Sequence, residues 1–203
     1  MAKKKSFFKK PKRLSWDEYF FAQALILSTR SACDRLHTGT IIVDCDNRII
    51  GAGYNGPVAG LSNCDEVGHL IIDGHCERTL HGEENALSGI DKYKIVGGTA
   101  YIIGTPCIRC VKSLLQVGTK KDGGTHKGLK RICYLGAYSN SRGKEIIEEM
   151  ALSKKVELLQ FDLNPKKLLH KVIELLKLPG GILHVHNFKK NDSIKRKEKG
   201  KHE

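Results

Sequence analysis

The chain has 203 residues, 40% of them hydrophobic, and a formal net charge of +13. That length is enough for one domain with a proper core, and no apolar run approaches the roughly 18–20 residues of a membrane helix. The charge sits at the ends: residues 1–13 hold seven Lys/Arg and no acid, and residues 189–203 hold seven against three acids. Basic ends can grip phosphate backbones. With aromatic interleaving limited to Phe7 and Phe8, these read instead as solvated tails, so nucleic acid is not the favoured partner. No signal segment is read, because no apolar stretch follows the N-terminal lysines. Seven cysteines with metal-site rather than disulfide spacing point to a reducing, cytoplasmic compartment.

In chain order, Ser15-Trp-Asp-Glu18 is a capping box that opens a helix running to about Thr29. Thr38–Asp44 and Arg48–Tyr54 are β-rich runs across a short polar turn and predict an antiparallel hairpin. Residues 55–78 form a Gly-, Cys- and His-rich loop, too long for an ordinary connection. A helix is expected from near Arg78, followed by a strand over Gly97–Gly104 and a helix over 106–117 with Pro106 in its first turn. Residues 118–128 read as a flexible surface excursion. Strand 130–136, helix 140–152, strand 156–162 and helix 165–177 follow. The pattern implies an α/β fold with a five-stranded mixed sheet covered on both faces, its last three strands parallel because helices link them. The expected organisation is a basic tail over 1–13, a domain over 14–178, and a second basic tail over 179–203.

The chemistry concentrates in two short clusters, His81-Gly-Glu83 and Pro106-Cys-Ile-Arg-Cys110, with residues 84–105 between them. His81, Cys107 and Cys110 are three zinc ligands of the usual type and leave a fourth tetrahedral position for water. Glu83, two residues past the His, is placed to lean over that water without ligating the metal. An open zinc, a water and an adjacent carboxylate make a hydrolytic site, and this order of residues is the signature of zinc deaminases acting on nucleobases. Cys107 near a helix N-terminus is favoured as thiolate. Glu83 is expected to take the water proton and pass it to the ring nitrogen and then to departing ammonia. Cys33, Cys64, His69, His75 and Cys76 form a second group of soft ligands ahead of this site. A structural zinc there needs four of them, with His75 preferred as third ligand and His69 or Cys76 as fourth. Cys45 and Cys133 read as packing residues, and His184 and His186 as idle.

Five segments carry a family resemblance: Arg30-Ser-Ala-Cys-Asp-Arg35, Thr38-Gly-Thr-Ile-Ile-Val-Asp44, Gly53-Tyr-Asn-Gly56, His75-Cys-Glu-Arg-Thr-Leu-His-Gly-Glu-Glu-Asn-Ala86 and Thr105-Pro-Cys-Ile-Arg-Cys110. Over roughly residues 14–162 the chain resembles the deoxycytidylate (dCMP) deaminases, within the three-layer α-β-α cytidine deaminase-like fold. The resemblance implies hydrolysis of dCMP to dUMP and ammonia, a catalytic zinc, and in some members an additional structural zinc to which Cys33 and Cys64 correspond. It also implies that Asn55 bonds the sugar and that the Gly82 N–H meets the pyrimidine carbonyl. Thr105 and a phosphate-binding arginine, Arg35 with Arg30 and Arg78 as alternatives, complete the expected substrate contacts. In regulated members the loop Gly53, Tyr54, Asn55, Gly56 contributes to a dCTP/dTTP site, and dimers or hexamers are the family's assemblies. The chain departs from the pattern at Gly82, where the family usually has alanine, and in the length of residues 118–128. Rival readings are another deaminase of this fold, acting on cytidine, a riboflavin-pathway pyrimidine or tRNA, and a non-catalytic zinc-stabilised nucleic-acid-binding module. The last has no use for Glu83.

Overall fold

The computed structural model describes residues 13–120, 126–136, 143–179 and 181–185. Residues Leu14–Leu168 form one compact unit. The domain expected over 14–178 extends beyond this unit, which leaves the rest of the last long helix outside. Residues 1–12 and 186–203 of the expected tails, His186 among them, lie outside the described residues, as does the centre of the 118–128 excursion.

Helix α1 (Trp16–Ser28) starts where the capping box places it: Ser15 Oγ accepts from the Glu18 N–H, and Glu18 reaches back to the Ser15 N–H at 2.9 Å. The hairpin follows as β1 (Gly39–Val43) and β2 (Ile49–Tyr54). Then β5 (Thr99–Ile103), β8 (Arg131–Leu135) and β9 (Glu157–Phe161) complete a five-stranded sheet of order β2-β1-β5-β8-β9. β1 is antiparallel to both its neighbours, while β5, β8 and β9 are parallel, as the intervening helices require.

Both faces of the sheet are covered. On one face Ile42, Ala100, Ile102 and Ile132 are buried against α3 (Gly82–Leu87), α4 (Ile108–Gln116) and α5 (Lys144–Ser153) through Ala86, Val111, Leu114 and Ile147. On the other, Phe20 and Phe21 of α1 meet Tyr101 of β5 with ring centroids 5.1 and 5.3 Å apart. Strand alternation therefore sorts the core in two, Ile42 and Ile102 to one side and Tyr101 to the other.

The long loop 55–78 carries a short helix, α2 (Cys64–Val67), and a two-residue hairpin of β3 (Ile71–Ile72) and β4 (His75–Cys76). The excursion after α4 is likewise not wholly irregular: β6 (Thr119–Lys120) pairs with β7 (His126–Lys127). Gly118, just ahead of β6, has φ 145°, and a Cβ there would stand 2.1 Å from the Lys127 carbonyl. Beyond Leu168, the described residues hold the end of α6 (Pro165–Leu176) and α7 (Ile182–Val185), where His184 is exposed. Cys133 is buried as expected of a packing residue. Cys45 is exposed, because its turn projects from the end of β1.

Candidate active site

Two helices present their N-termini to one point. His81 is the N-cap of α3 and Cys107 the N-cap of α4, both extended in backbone, with φ/ψ of −69/154° and −77/164°. The helix expected from Arg78 therefore begins later, because Leu80 pairs with Gly56 through two backbone bonds of 2.9 and 3.3 Å and holds the approach extended. A cap side chain faces the helix mouth, where unpaired N–H groups favour negative ligands. Cys110 enters from the first turn of α4 and is fully buried. A missed residue locks the pair: Glu84 Oε2 accepts the His81 N–H at 2.9 Å and also meets Arg109 Nη2 of α4 at 3.2 Å. The signal was present as an acid three residues after a cap, but with His in place of Ser or Thr it did not read as a capping box.

His81 Nδ1 lies 3.3 Å from Cys110 Sγ and 3.6 Å from Cys107 Sγ. A tetrahedral ion with ordinary Zn–S and Zn–N bonds puts nitrogen and sulfur about 3.6 Å apart and two sulfurs about 3.8 Å apart. The donor set fits zinc, with Nδ1 as the ligating nitrogen. The charges agree. Hydrogen bonding to Cys110 and then to His81, against burial, brings the Cys107 thiol down to about 3, while the bond to Cys107 and burial push Cys110 up. Contact with Cys107 holds His81 above the ordinary imidazole value.

Glu83, 4% exposed, stands beside this group, and burial raises its carboxyl above the usual carboxylate range. An exposed first-turn acid would not be found there. His81, Glu83 and Cys107 open on one cleft, whose walls include Asn55, Thr105 and, on the outer side, Arg35 and His75. Of the arginines considered for phosphate, Arg35 lines this cleft and Arg30 and Arg78 do not.

Two residues expected to touch substrate bond to each other. The Gly82 N–H, expected to face a pyrimidine carbonyl, donates to Asn55 Oδ1 at 2.9 Å. Asn55 is buried, takes a second bond from Thr38 Oγ1 at 2.6 Å and donates to the Leu36 carbonyl at 2.9 Å. Its amide thus ties Leu36 and Thr38, just ahead of β1, to the start of α3. The supposed effector loop is also internally committed. Gly53 is buried where a Cβ would stand 2.3 Å from the Gly82 carbonyl, Tyr54 O accepts from Asn85, and Gly56 bridges Leu80. Of the four loop residues only Asn55 lines the cleft.

The second group is resolved as Cys33, Cys64, His69 and Cys76, all four donor atoms within 4.8 Å of one another. His75, the preferred third ligand, is corrected: strand alternation in β4 separates it from Cys76, so that Cys76 joins the cluster and His75 does not, although both line the cleft. The separations, 3.6 Å for Cys64–Cys76, 3.5 Å for Cys76–His69 and 3.8 Å for Cys33–His69, again match a tetrahedral ion. Burial raises Cys64 to about 12. In Cys76 burial is outweighed by the Arg78 N–H and by His69, which bring it down to about 6.

Residues 14–122 match the cytidine and deoxycytidylate deaminase zinc-binding region. The chain is 46% identical over 110 residues to ComE operon protein 2 of Bacillus subtilis, covering 53% of this chain and 58% of that protein. It is 31% identical over 120 residues to a deoxycytidylate deaminase of a Mycobacterium phage, covering 54% of this chain and 93% of that enzyme. In fold it is similar to the dCMP deaminase of cyanophage S-TIM5, solved with dCMP and dUMP, with a TM-score of 0.55 and 24% identity over 76% of this chain and all of that one. With the zinc-type donor set, the buried acid and the family match in agreement, this chain belongs to the cytidine and deoxycytidylate deaminase family.

Proposed function

We propose that this protein deaminates dCMP hydrolytically to dUMP and ammonia. The observation that carries the reading is the buried Glu83 beside His81, Cys107 and Cys110 at the floor of one cleft. A zinc ion held by those three side chains supplies the Lewis acidity that brings water toward hydroxide near neutral pH. Glu83 accepts a proton from the water oxygen that adds to C4 and delivers it to the ring N3. It then takes the remaining proton from the C4 hydroxyl and passes it to the exocyclic amine, so that the C4 carbonyl forms as the C4–N bond breaks and ammonia leaves. A carboxyl raised by burial suits both directions of that transfer. The Glu84–Arg109 pair keeps the two helix mouths in register for it.

The choice of dCMP within the family is supported by the named phage relative and by Arg35 and His75 at the outer end of the cleft, where a nucleotide phosphate would lie. Homo-oligomers, dimeric or hexameric, dCTP and dTTP as effectors, and a cytoplasmic location accompany the reading. No helix among the described residues is long and apolar enough to cross a membrane.

The test is ammonia release from zinc-loaded protein offered dCMP, dCTP, deoxycytidine and CMP in parallel, then with dCTP or dTTP added. Turnover is expected with dCMP, and Glu83→Gln is expected to lower it about 10²–10⁴-fold with zinc content unchanged. Zinc-bound protein that turns over none of the four sinks the assignment.

A further inference from the structure

We propose that Asp34 is a positioning residue for the second metal centre: its carboxylate fixes the ring orientation and tautomer in which His69 presents Nδ1 to an ion shared with Cys33, Cys64 and Cys76. The proposal rests on the reading that this cluster holds zinc. His69 Nδ1 is the nitrogen turned to the sulfurs, 3.5 Å from Cys76 Sγ and 3.8 Å from Cys33 Sγ. Its other nitrogen, Nε2, lies 2.8 Å from Asp34 Oδ1. A neutral imidazole carries one ring proton. With that proton on Nε2 and donated to Asp34, the Nδ1 lone pair is left for the metal. Carboxylates behind ligating histidines act in this way, and their loss commonly weakens metal binding.

The arrangement is not explained as a stabilising surface pair. The Asp34 side chain is 85% exposed, and exposed ion pairs contribute little to folding. Its effect belongs in metal retention.

Three consecutive residues reach the same segment. Cys33 joins the cluster, Asp34 holds His69, and an Arg35 Nη2 donates to the Gly74 carbonyl at 2.7 Å. Together they pin the β3–β4 hairpin, whose His75 and Cys76 form part of the cleft wall. Asp34 therefore influences the cleft through the hairpin without touching substrate or the catalytic cluster.

The test is competition of the full-length protein with a chromogenic zinc chelator, with Cys64→Ser marking which ion belongs to this centre. Wild type is expected to carry two zinc ions per chain. In Asp34→Ala the ion lost in Cys64→Ser should yield to chelator about 10–100-fold more readily, and the other should be unchanged. Asp34→Asn, which keeps an acceptor oxygen, should restore most of the retention. Substitution with cobalt should show an altered ligand-field spectrum for that centre alone. Two ions retained equally in Asp34→Ala would overturn the role of Asp34 while leaving the second centre standing. One ion per wild-type chain would remove the second centre and this proposal with it. Loss of both ions in step in Asp34→Ala would also overturn it, because the effect would not be confined to His69.

Discussion

Gly82 opens α3 without a side chain, and its neighbours give the reason. A Cβ there would stand 3.1 Å from Thr38 Oγ1, 3.3 Å from the Gly53 carbonyl and 3.4 Å from Thr40 Oγ1. Two threonine hydroxyls occupy the space a methyl group would need, and one of them holds Asn55. Gly82→Ala should push the Thr38 hydroxyl off Asn55 and cost more stability than it gains from a better helix start. In a Thr38→Ala background the same change should be easier. The double-mutant cycle by chemical denaturation is expected to show coupling of about 0.5 kcal/mol or more, and additivity would show that Thr38 is not the obstacle. Glu83 and Gly82 are adjacent and both buried, yet only Glu83 announced its role in the sequence. A carboxylate beside metal ligands has few other uses, whereas a glycine's neighbours are visible only once the strands are placed.

At the level of elements, a polar triangle ties α1 to the sheet. Tyr101 Oη donates to Asp17 Oδ1 at 2.7 Å, and an Arg131 Nη2 reaches the same oxygen at 2.7 Å and Tyr101 Oη at 2.8 Å. These residues come from α1, β5 and β8, and nothing in their separate segments suggested that they meet. Asp17→Asn removes the charge between two donors and is expected to cost about 1.5–3 kcal/mol by urea denaturation. Burial, and then the bond to Asp17 and its charge, hold the Tyr101 phenol above its ordinary value of 10.0. A folded-state value raised above the unfolded one favours the protonated fold. That contribution is complete below about pH 10 and is lost as pH rises toward the folded value. Wild type should therefore lose more stability than Tyr101→Phe between about pH 9 and about pH 11. Parallel losses in the two proteins would contradict the assignment.

For the molecule as a whole, members of both candidate metal groups line one cleft, Cys33 and Cys76 of the second with His81 and Cys107 of the first. Metal that binds only the folded state adds stability by mass action. Prolonged chelation should lower the melting temperature as well as abolish activity. It should also expose the 57–78 segment to limited proteolysis before the sheet, because that segment has only short elements of its own. Simultaneous cleavage throughout the chain would show that the segment does not depend on metal. Zinc added back before proteolysis should restore protection.

The sequence by itself determined the order of the five sheet strands and the main helices, the parallel and antiparallel halves of the sheet, and the grouping of His81, Cys107 and Cys110. Each depends on local pattern: the period of apolar residues, a capping box at Ser15, or ligands at short fixed spacing such as Cys107 and Cys110. It did not determine which of five soft ligands form the second group. His75 and Cys76 are adjacent in the chain, and only the pairing of β3 with β4 decides that Cys76 and not His75 joins the cluster. Nor did it show that Asn55 is committed to Gly82 and Thr38, or that Asp34 stands behind His69. Those partners lie 17 to 35 residues apart along the chain. Contacts at such separations follow from strand register and loop path, so only the tertiary structure could decide them.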